Sequence, residues 1–233
     1  MANGLLEVIA LDARDARAAA DGGADRIELV SGMEFAGFCP ALETVEQVRA
    51  AVDLPVRVML RLREDFSIGG AQGTAEIAAC ARRLREAGAE ELVLGWLDAR
   101  GAVDLPAVER VLEACDGLPF TFHKAIDQAA DRDAVYAAIR PLPGLDTVLT
   151  SGGPFPAGQG AEVLAAEAAR EAAMGDRGLQ ILVGGGLKLA DVPVLQAAGL
   201  RDFHVGSSVR GGTDWGGHVD ADLVAQWRDA LEG

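Results

Sequence analysis

Short runs of alternating apolar and polar residues recur along the chain, each followed by a longer stretch whose apolar positions fall three or four apart. The runs at residues 5–10, 26–30, 56–60, 91–94, 119–123, 147–150, 180–183 and 203–206 have strand length. The intervening stretches carry helix start and stop signals. Asp12 is placed to cap a first helix that Gly22 and Gly23 end. Thr44 and Gln47 have capping-box spacing before Val45, Val48 and Val52. Thr74 opens a helix with Ile77, Cys80, Ala81 and Leu84 on one side, and Asp104, Asp131 and Asp220 occupy comparable starts. Val135, Ile139 and Leu142 form one apolar stripe; Leu223, Val224, Trp227 and Leu231 form another.

Eight strand–helix units in strict alternation predict an α/β fold with a parallel eight-stranded sheet, closed as a single (β/α)8 TIM barrel over residues 1–233. An open doubly wound sheet fits less well, because no Gly-x-Gly-x-x-Gly follows the first strand. In such a barrel, function sits where the strands end and the βα loops begin. Two of those loops, residues 31–43 and 61–73, are long and rich in glycine and polar residues, as lids often are.

The pattern is sharpest at Pro119-Phe120-Thr121-Phe122-His123-Lys124-Ala125-Ile126-Asp127, a strand that runs into three ionisable groups. Strand alternation puts Phe120 and Phe122 on one face, Thr121 and His123 on the other. The same parity aims Glu7, Glu28, Arg57, Arg61 and His204 into the barrel. An unpaired charge there would cost several kcal/mol, so the carboxylates must pair with arginines, bind a cation or line a wet pocket. A buried Glu–Arg lattice that only fills the barrel floor is the structural alternative for Glu7 and Glu28. His123 lies at a strand end with Lys124 and Asp127 just beyond, and His204 lies lower on its strand. His218 falls in a glycine-rich loop and is expected in solvent. The last three strands run into Thr150-Ser151-Gly152-Gly153, Gly184-Gly185-Gly186 and Gly206-Ser207-Ser208. Backbone N–H groups and hydroxyls there predict an anion-holding corner.

Composition narrows the classes. The 233 residues carry 21 basic and 36 acidic side chains, net −15, which disfavours nucleic acid and anionic membrane as partners. No stretch approaches the roughly 18 apolar residues of a membrane span, and the first residues have no signal-peptide pattern. The three cysteines, Cys39, Cys80 and Cys115, are widely separated, which suggests neither a zinc site nor a disulfide framework. A cytoplasmic, reducing location is expected, and so is a homo-oligomer. No metal-ligand set emerges from spacing. For a soft metal only Cys39, with Met33 and Met59, could reach the mouth.

Leu5-Leu6-Glu7-Val8, Gly23-Ala24-Asp25-Arg26-Ile27-Glu28-Leu29, Thr121-Phe122-His123-Lys124-Ala125, Leu149-Thr150-Ser151-Gly152-Gly153, Gly184-Gly185-Gly186 and Phe203-His204 together resemble the CutC family, over nearly the whole chain. The resemblance implies a (β/α)8 barrel and a link to copper tolerance and cytoplasmic copper binding, with no enzyme activity firmly assigned. It makes copper the one cofactor to consider. Family members proposed to bind Cu(I) carry cysteines where this chain has Ile9 and Val30. Lys124 stands at a usual arginine, keeping the charge and losing the bidentate fork.

Two functions therefore compete. One is a CutC-like copper-handling protein without turnover. The other is a barrel lyase, isomerase or hydrolase acting on a small anionic, phosphorylated or sugar-like metabolite. Its expected catalytic residues are Glu7, Glu28, His123 and Lys124. Arg61, Asp127, Ser151, Gly152, Gly185, Gly186, His204 and Ser207 are its expected substrate contacts.

Overall fold

Valine, leucine, isoleucine and phenylalanine at alternate positions give each short strand one face that must leave water, and the eight faces together form the outside of a barrel that the helices cover. The computed structural model describes residues 4–212 and 215–232. The strands are β1 (Leu6–Ala10), β2 (Arg26–Leu29), β3 (Val56–Met59), β4 (Glu91–Leu94), β5 (Phe120–Phe122), β6 (Leu145–Thr150), β7 (Gln180–Gly184) and β8 (Asp202–Val205). Each pairs in parallel with the next, and β8 returns to β1, so the sheet is a closed barrel. Among the described residues, eight α-helices alternate with the strands: α1 (Ala13–Asp21), α2 (Leu42–Arg49), α3 (Gly70–Glu86), α4 (Leu105–Ala114), α5 (Arg132–Ile139), α6 (Ala161–Ala173), α7 (Val192–Ala197) and α8 (Ala221–Glu232). The expected TIM barrel is the observed one. Among the described residues, no helix is long and apolar enough to cross a membrane.

Asp12, Asp104 and Asp131 cap α1, α4 and α5 through their carboxylates, and Asp220 accepts from the Asp222 and Leu223 N–H groups at the start of α8. Two expected starts are displaced. Helix α2 begins at Leu42 behind Ala41, without a side-chain cap, so the Thr44–Gln47 capping box does not form. Helix α3 begins at Gly70, and Thr74 lies one turn in, with Oγ1 donating to the Gly70 carbonyl. The Thr74 hydroxyl is thus spent on the backbone four residues back instead of capping the helix.

Most of the core lies between barrel and helices, with Leu6, Val8, Ile27, Leu29, Val58, Leu92, Phe120, Phe122 and Trp227 buried there. Each such side chain contributes about 1.5–3 kcal/mol by leaving water. A second, smaller cluster of Ile9, Val30, Met59 and Val93 fills the barrel interior. The interior below it is polar. Arg57 reaches Glu91 at 2.7 Å, Thr121 at 2.5 Å and Asp146 at 2.7 Å. Arg57 therefore belongs to a buried lattice on the barrel floor, away from the mouth.

Candidate functional site at the barrel mouth

The C-terminal ends of the strands open into a cavity of about 250 Å³. Its walls are mostly apolar, from Ile9, Val30, Met33, Met59, Phe66, Leu149 and Trp215. Into these walls are set Glu28, Arg61, His123, Lys124, His204 and Ser207, with the backbone of Gly185 and Gly186. A few polar groups in an apolar cleft are the usual make-up of a small-molecule site.

Glu7, His204 and Glu28 form a chain across three adjacent strands. Strand register sets Glu7 beside His204 and Arg26. Arg26 Nε donates to Glu7 at 2.5 Å, and His204 Nδ1 lies 2.7 Å from the other Glu7 oxygen. Burial alone would raise the Glu7 carboxyl, but the Arg26 charge and the His204 hydrogen bond outweigh it and hold the group at about 2. Glu7 is thus ionised, and His204 donates its Nδ1–H to it. Nε2 of His204 then faces Glu28 at 3.7 Å. Glu28 is only 3 % exposed and its Oε1 has no hydrogen-bond partner. Burial pushes its carboxyl up to about 7, against the pull of His204 and with the help of the Glu7 charge. Burial disfavours the His204 cation too, yet the charges of Glu28 and Glu7 and the hydrogen bond to Glu7 leave its pKa raised. The His204 ring has room because Gly184 stands beside it in register; a Cβ there would come within 2.9 Å of the imidazole.

His123 is not the last strand residue but the cap of a 3₁₀ turn, Lys124–Gln128, that follows β5. The Ala125 N–H donates to its Nδ1 at 3.2 Å. A neutral imidazole whose Nδ1 accepts carries its proton on Nε2. Burial, then the nearby Arg61 charge, pushes His123 down to about 3, so the ring is neutral. Its Nε2 is buried without a partner. Phe66 packs edge-on against the ring with centroids 5.3 Å apart, fixing its plane. His123 therefore presents an N–H donor to the cavity rather than a basic lone pair.

Arg61 is aimed at the first long loop. Its Nη1 donates to the carbonyls of Phe35, Ala36 and Gly37 at 3.0, 3.1 and 2.8 Å, and Nη2 donates to Glu64. The guanidinium also lies near the Phe38 and Phe66 rings, 5.5 and 5.1 Å from their centroids. Only Nε is left unpartnered. Arg61 binds the two long loops together, and its capacity to grip an anion is mostly taken.

Lys124, Asp127 and Ser151 form a separate knot. Lys124 Nζ donates to Asp127 at 2.7 Å and to Ser151 Oγ at 2.6 Å. Asp127 also accepts from Arg132, Thr150, and the Ser151 and Gly153 N–H groups. Burial would raise its carboxyl, but the Lys124 charge and these hydrogen bonds keep it lowered. The Gly152 N–H donates to Thr150 Oγ1. Ser151 and Gly152 thus turn their donors onto Asp127 and Thr150, and the anion corner contracts to Lys124, Gly185, Gly186 and Ser207 at the cavity rim. The Lys124 Nζ is thus tied to Asp127 and Ser151 and is not turned freely toward the cavity as a Schiff-base nucleophile would be.

Cys39 does not reach the cavity. Its sulfur meets that of Cys80 at 3.1 Å, while Met33 and Met59 do line the mouth. His218 is exposed, with Nδ1 3.4 Å from Asp15. Two residues that the alternation pattern missed complete the site. Arg26, the ionic partner of Glu7, sits on the first residue of β2 and was detectable only through strand register. Trp215 comes from the glycine-rich segment after β8; a single aromatic among glycines was its one signal. Among the described residues, Glu7, Glu28 and His204 bring one potential ligand atom each within 4.8 Å of one another, and so do Asp12, Asp15 and His218. Both are oxygen and imidazole sets, unsuited to a soft Cu(I) ion.

Comparison with known proteins bears on the whole chain. The CutC family profile matches residues 5–209. A CutC family protein of Xanthomonas campestris pv. campestris is 37% identical, with 97% of each chain covered. One from Klebsiella pneumoniae is 34% identical over 86% of this chain and 78% of its own. A Streptococcus agalactiae CutC structure, provisionally assigned to copper homeostasis, superposes with a TM-score of 0.78 at 25% identity, covering 87% of this chain and 98% of that one. A Burkholderia cenocepacia protein provisionally named a phosphonomutase shares the fold, with a TM-score of 0.61 at 20% identity.

Proposed function

The chain belongs to the CutC family, and from that premise and the chemistry of the mouth we propose that it moves a proton on a small carbonyl-bearing, anionic metabolite, in an isomerase or lyase step. One observation carries this reading. Two buried atoms without partners, Nε2 of His123 and Oε1 of Glu28, belong to residues that line the same cavity. A buried polar atom left unpaired costs about 1–3 kcal/mol, and a ligand that pairs both relieves it. His123 supplies an N–H to a substrate oxygen, and a neutral imidazole polarises a carbonyl without giving up its proton. Glu28, with a carboxyl near 7, can take a proton from the adjacent carbon and return it. Glu7 positions His204, and His204 stabilises the Glu28 carboxylate as it forms. Lys124 and Ser207 at the rim are placed for an anionic group on the ligand.

The experiment is a thermal-shift screen of hydroxycarbonyl and sugar-phosphate compounds, followed by NMR of each stabilising compound in D₂O. Deuterium entering at the carbon next to the carbonyl, lost in Glu28→Gln while binding persists, supports the reading. Stabilisation without exchange reduces the site to a binding pocket, and a screen with no stabilising compound removes the reading.

Copper handling, the role provisionally attached to the S. agalactiae relative, is the second reading. The cavity offers it the thioethers of Met33 and Met59 and no thiol, since Ile9 and Val30 occupy the wall. That donor set does not fit a Cu(I)–thiolate centre.

A further inference from the structure

Outside the cavity two free thiols touch. Cys39, at the end of the loop after β2, and Cys80, in the middle of α3, have sulfurs 3.1 Å apart, although 41 residues separate them in the chain. Neither takes part in the cavity, and neither serves the proton chemistry above. Cys80 is buried among the helix contacts, whereas Cys39 is half-exposed. The third thiol, Cys115, is buried apart from them at the end of α4, where it donates to the Val111 and Leu112 carbonyls.

We propose that Cys39 and Cys80 are a reversible dithiol–disulfide couple that fastens the first mouth loop to α3. The loop that carries Cys39 contributes Met33 and Ala36 to the cavity wall, and its carbonyls at Phe35, Ala36 and Gly37 grip Arg61. The Cys39 N–H donates to the Arg61 carbonyl at 2.8 Å. Helix α3 follows directly on the second long loop. A bond between the two sulfurs would therefore tie the first mouth loop to the helix into which the second loop leads.

The local charges favour the reaction. A thiol contact lets one sulfur ionise while the other keeps its proton and donates to it. Arg83 lies one turn beyond Cys80 on α3, and the Cys39 hydrogen bond, then the Arg83 charge, bring Cys80 down to about 7 against its burial. With hydrogen peroxide as oxidant, the Cys80 thiolate attacks one oxygen and the O–O bond breaks. Cys80 becomes a sulfenic acid, and the departing hydroxide leaves as water with the proton that Cys80 had lost. The Cys39 sulfur then attacks the Cys80 sulfur, an S–S bond forms, the S–O bond breaks, and a second water carries off the Cys39 proton. Two thiols lose two electrons and two protons, and one peroxide becomes two waters. A dithiol reductant reverses the step.

The test treats the full, reduced chain with one equivalent of hydrogen peroxide, then counts thiols after denaturation and maps the peptides. The expected result is a fall from three thiols to one, a cross-linked peptide pair containing Cys39 and Cys80, free Cys115, and recovery of all three with dithiothreitol. Cys115→Ala should give the same cross-link, and Cys39→Ser should give none. Three surviving thiols, irreversible oxidation of either cysteine, or linkage between chains instead of within one would each overturn the proposal. The wild-type thiol count and peptide map decide it even where a variant fails to fold.

Discussion

Nε2 of His204 lies 3.7 Å from Oε2 of Glu28, although the two residues belong to strands separated by β1. The inward curve of the barrel brings them together, and Glu7 on the intervening strand holds the far side of the ring. This relation makes folding stability depend on pH in a definite sense. The Glu28 carboxyl is raised to about 7 in the folded chain, above its value of about 4.5 in the unfolded one. Between those values the folded state binds more protons, so this group's contribution falls as pH rises. Glu28→Gln removes that slope. Relative to wild type, the variant should gain about 2 kcal/mol between pH 4.5 and pH 8, somewhat under the full shift because Glu7 and His204 readjust. Urea melts of both proteins across that range are the check; a difference independent of pH would contradict the arrangement.

His123 has the opposite slope. Its imidazole is pushed down to about 3 when folded, against about 6.5 when unfolded. In that window the unfolded chain binds more protons, so stability is lost as pH falls below about 6.5. His123→Gln should be destabilising at pH 7.5, since it disturbs a buried ring packed on Phe66 and the Ala125 N–H contact. By pH 5 its deficit against wild type should shrink by about 2 kcal/mol. If a substrate is found, the same variant should lower kcat by about 10²-fold through loss of the N–H donor.

The copper reading is tested by gain as well as by absence. In a Cys39→Ser background the chain should hold no stoichiometric Cu(I) against bathocuproine, because among the described residues of the mouth the soft donors are Met33 and Met59. Ile9→Cys with Val30→Cys places two thiols on the wall of that cavity and should confer binding. Tight Cu(I) binding before the cysteines are added would restore a copper role for this chain.

Asp127 is a structural knot at the edge of the site. Its carboxylate joins Lys124 and Arg132 to the loop after β6. Asp127→Ala should cost about 3–5 kcal/mol, the usual consequence of stranding a buried charged partner. Because the folded carboxyl is lowered, its contribution is present above the unfolded pKa and is lost as pH falls. The deficit of the variant should accordingly narrow in acid, as read by denaturant melts at pH 7 and pH 3.

The alternating pattern by itself determined the barrel, since eight short strands with one apolar face each have few ways to bury them apart from closing in parallel beneath helices. It also determined which side of each strand looked inward. Glu7, Glu28, Arg57, His123 and His204 all lie inside, because a period of two fixes the face whatever the neighbours do. Depth along the barrel axis was another matter. Arg57 sank to the floor with Glu91 and Asp146, Glu7 took Arg26, and Glu28 was left facing the cavity. Strand stagger sets that depth, and stagger depends on pairing between segments far apart in sequence. The loops were the least legible. Arg61, Ser151 and Gly152 carry the residue types of an anion site, yet each found partners in its own loop or in Asp127. A polar group joins whichever partner the folded chain brings nearest, and only the tertiary structure decides which that is.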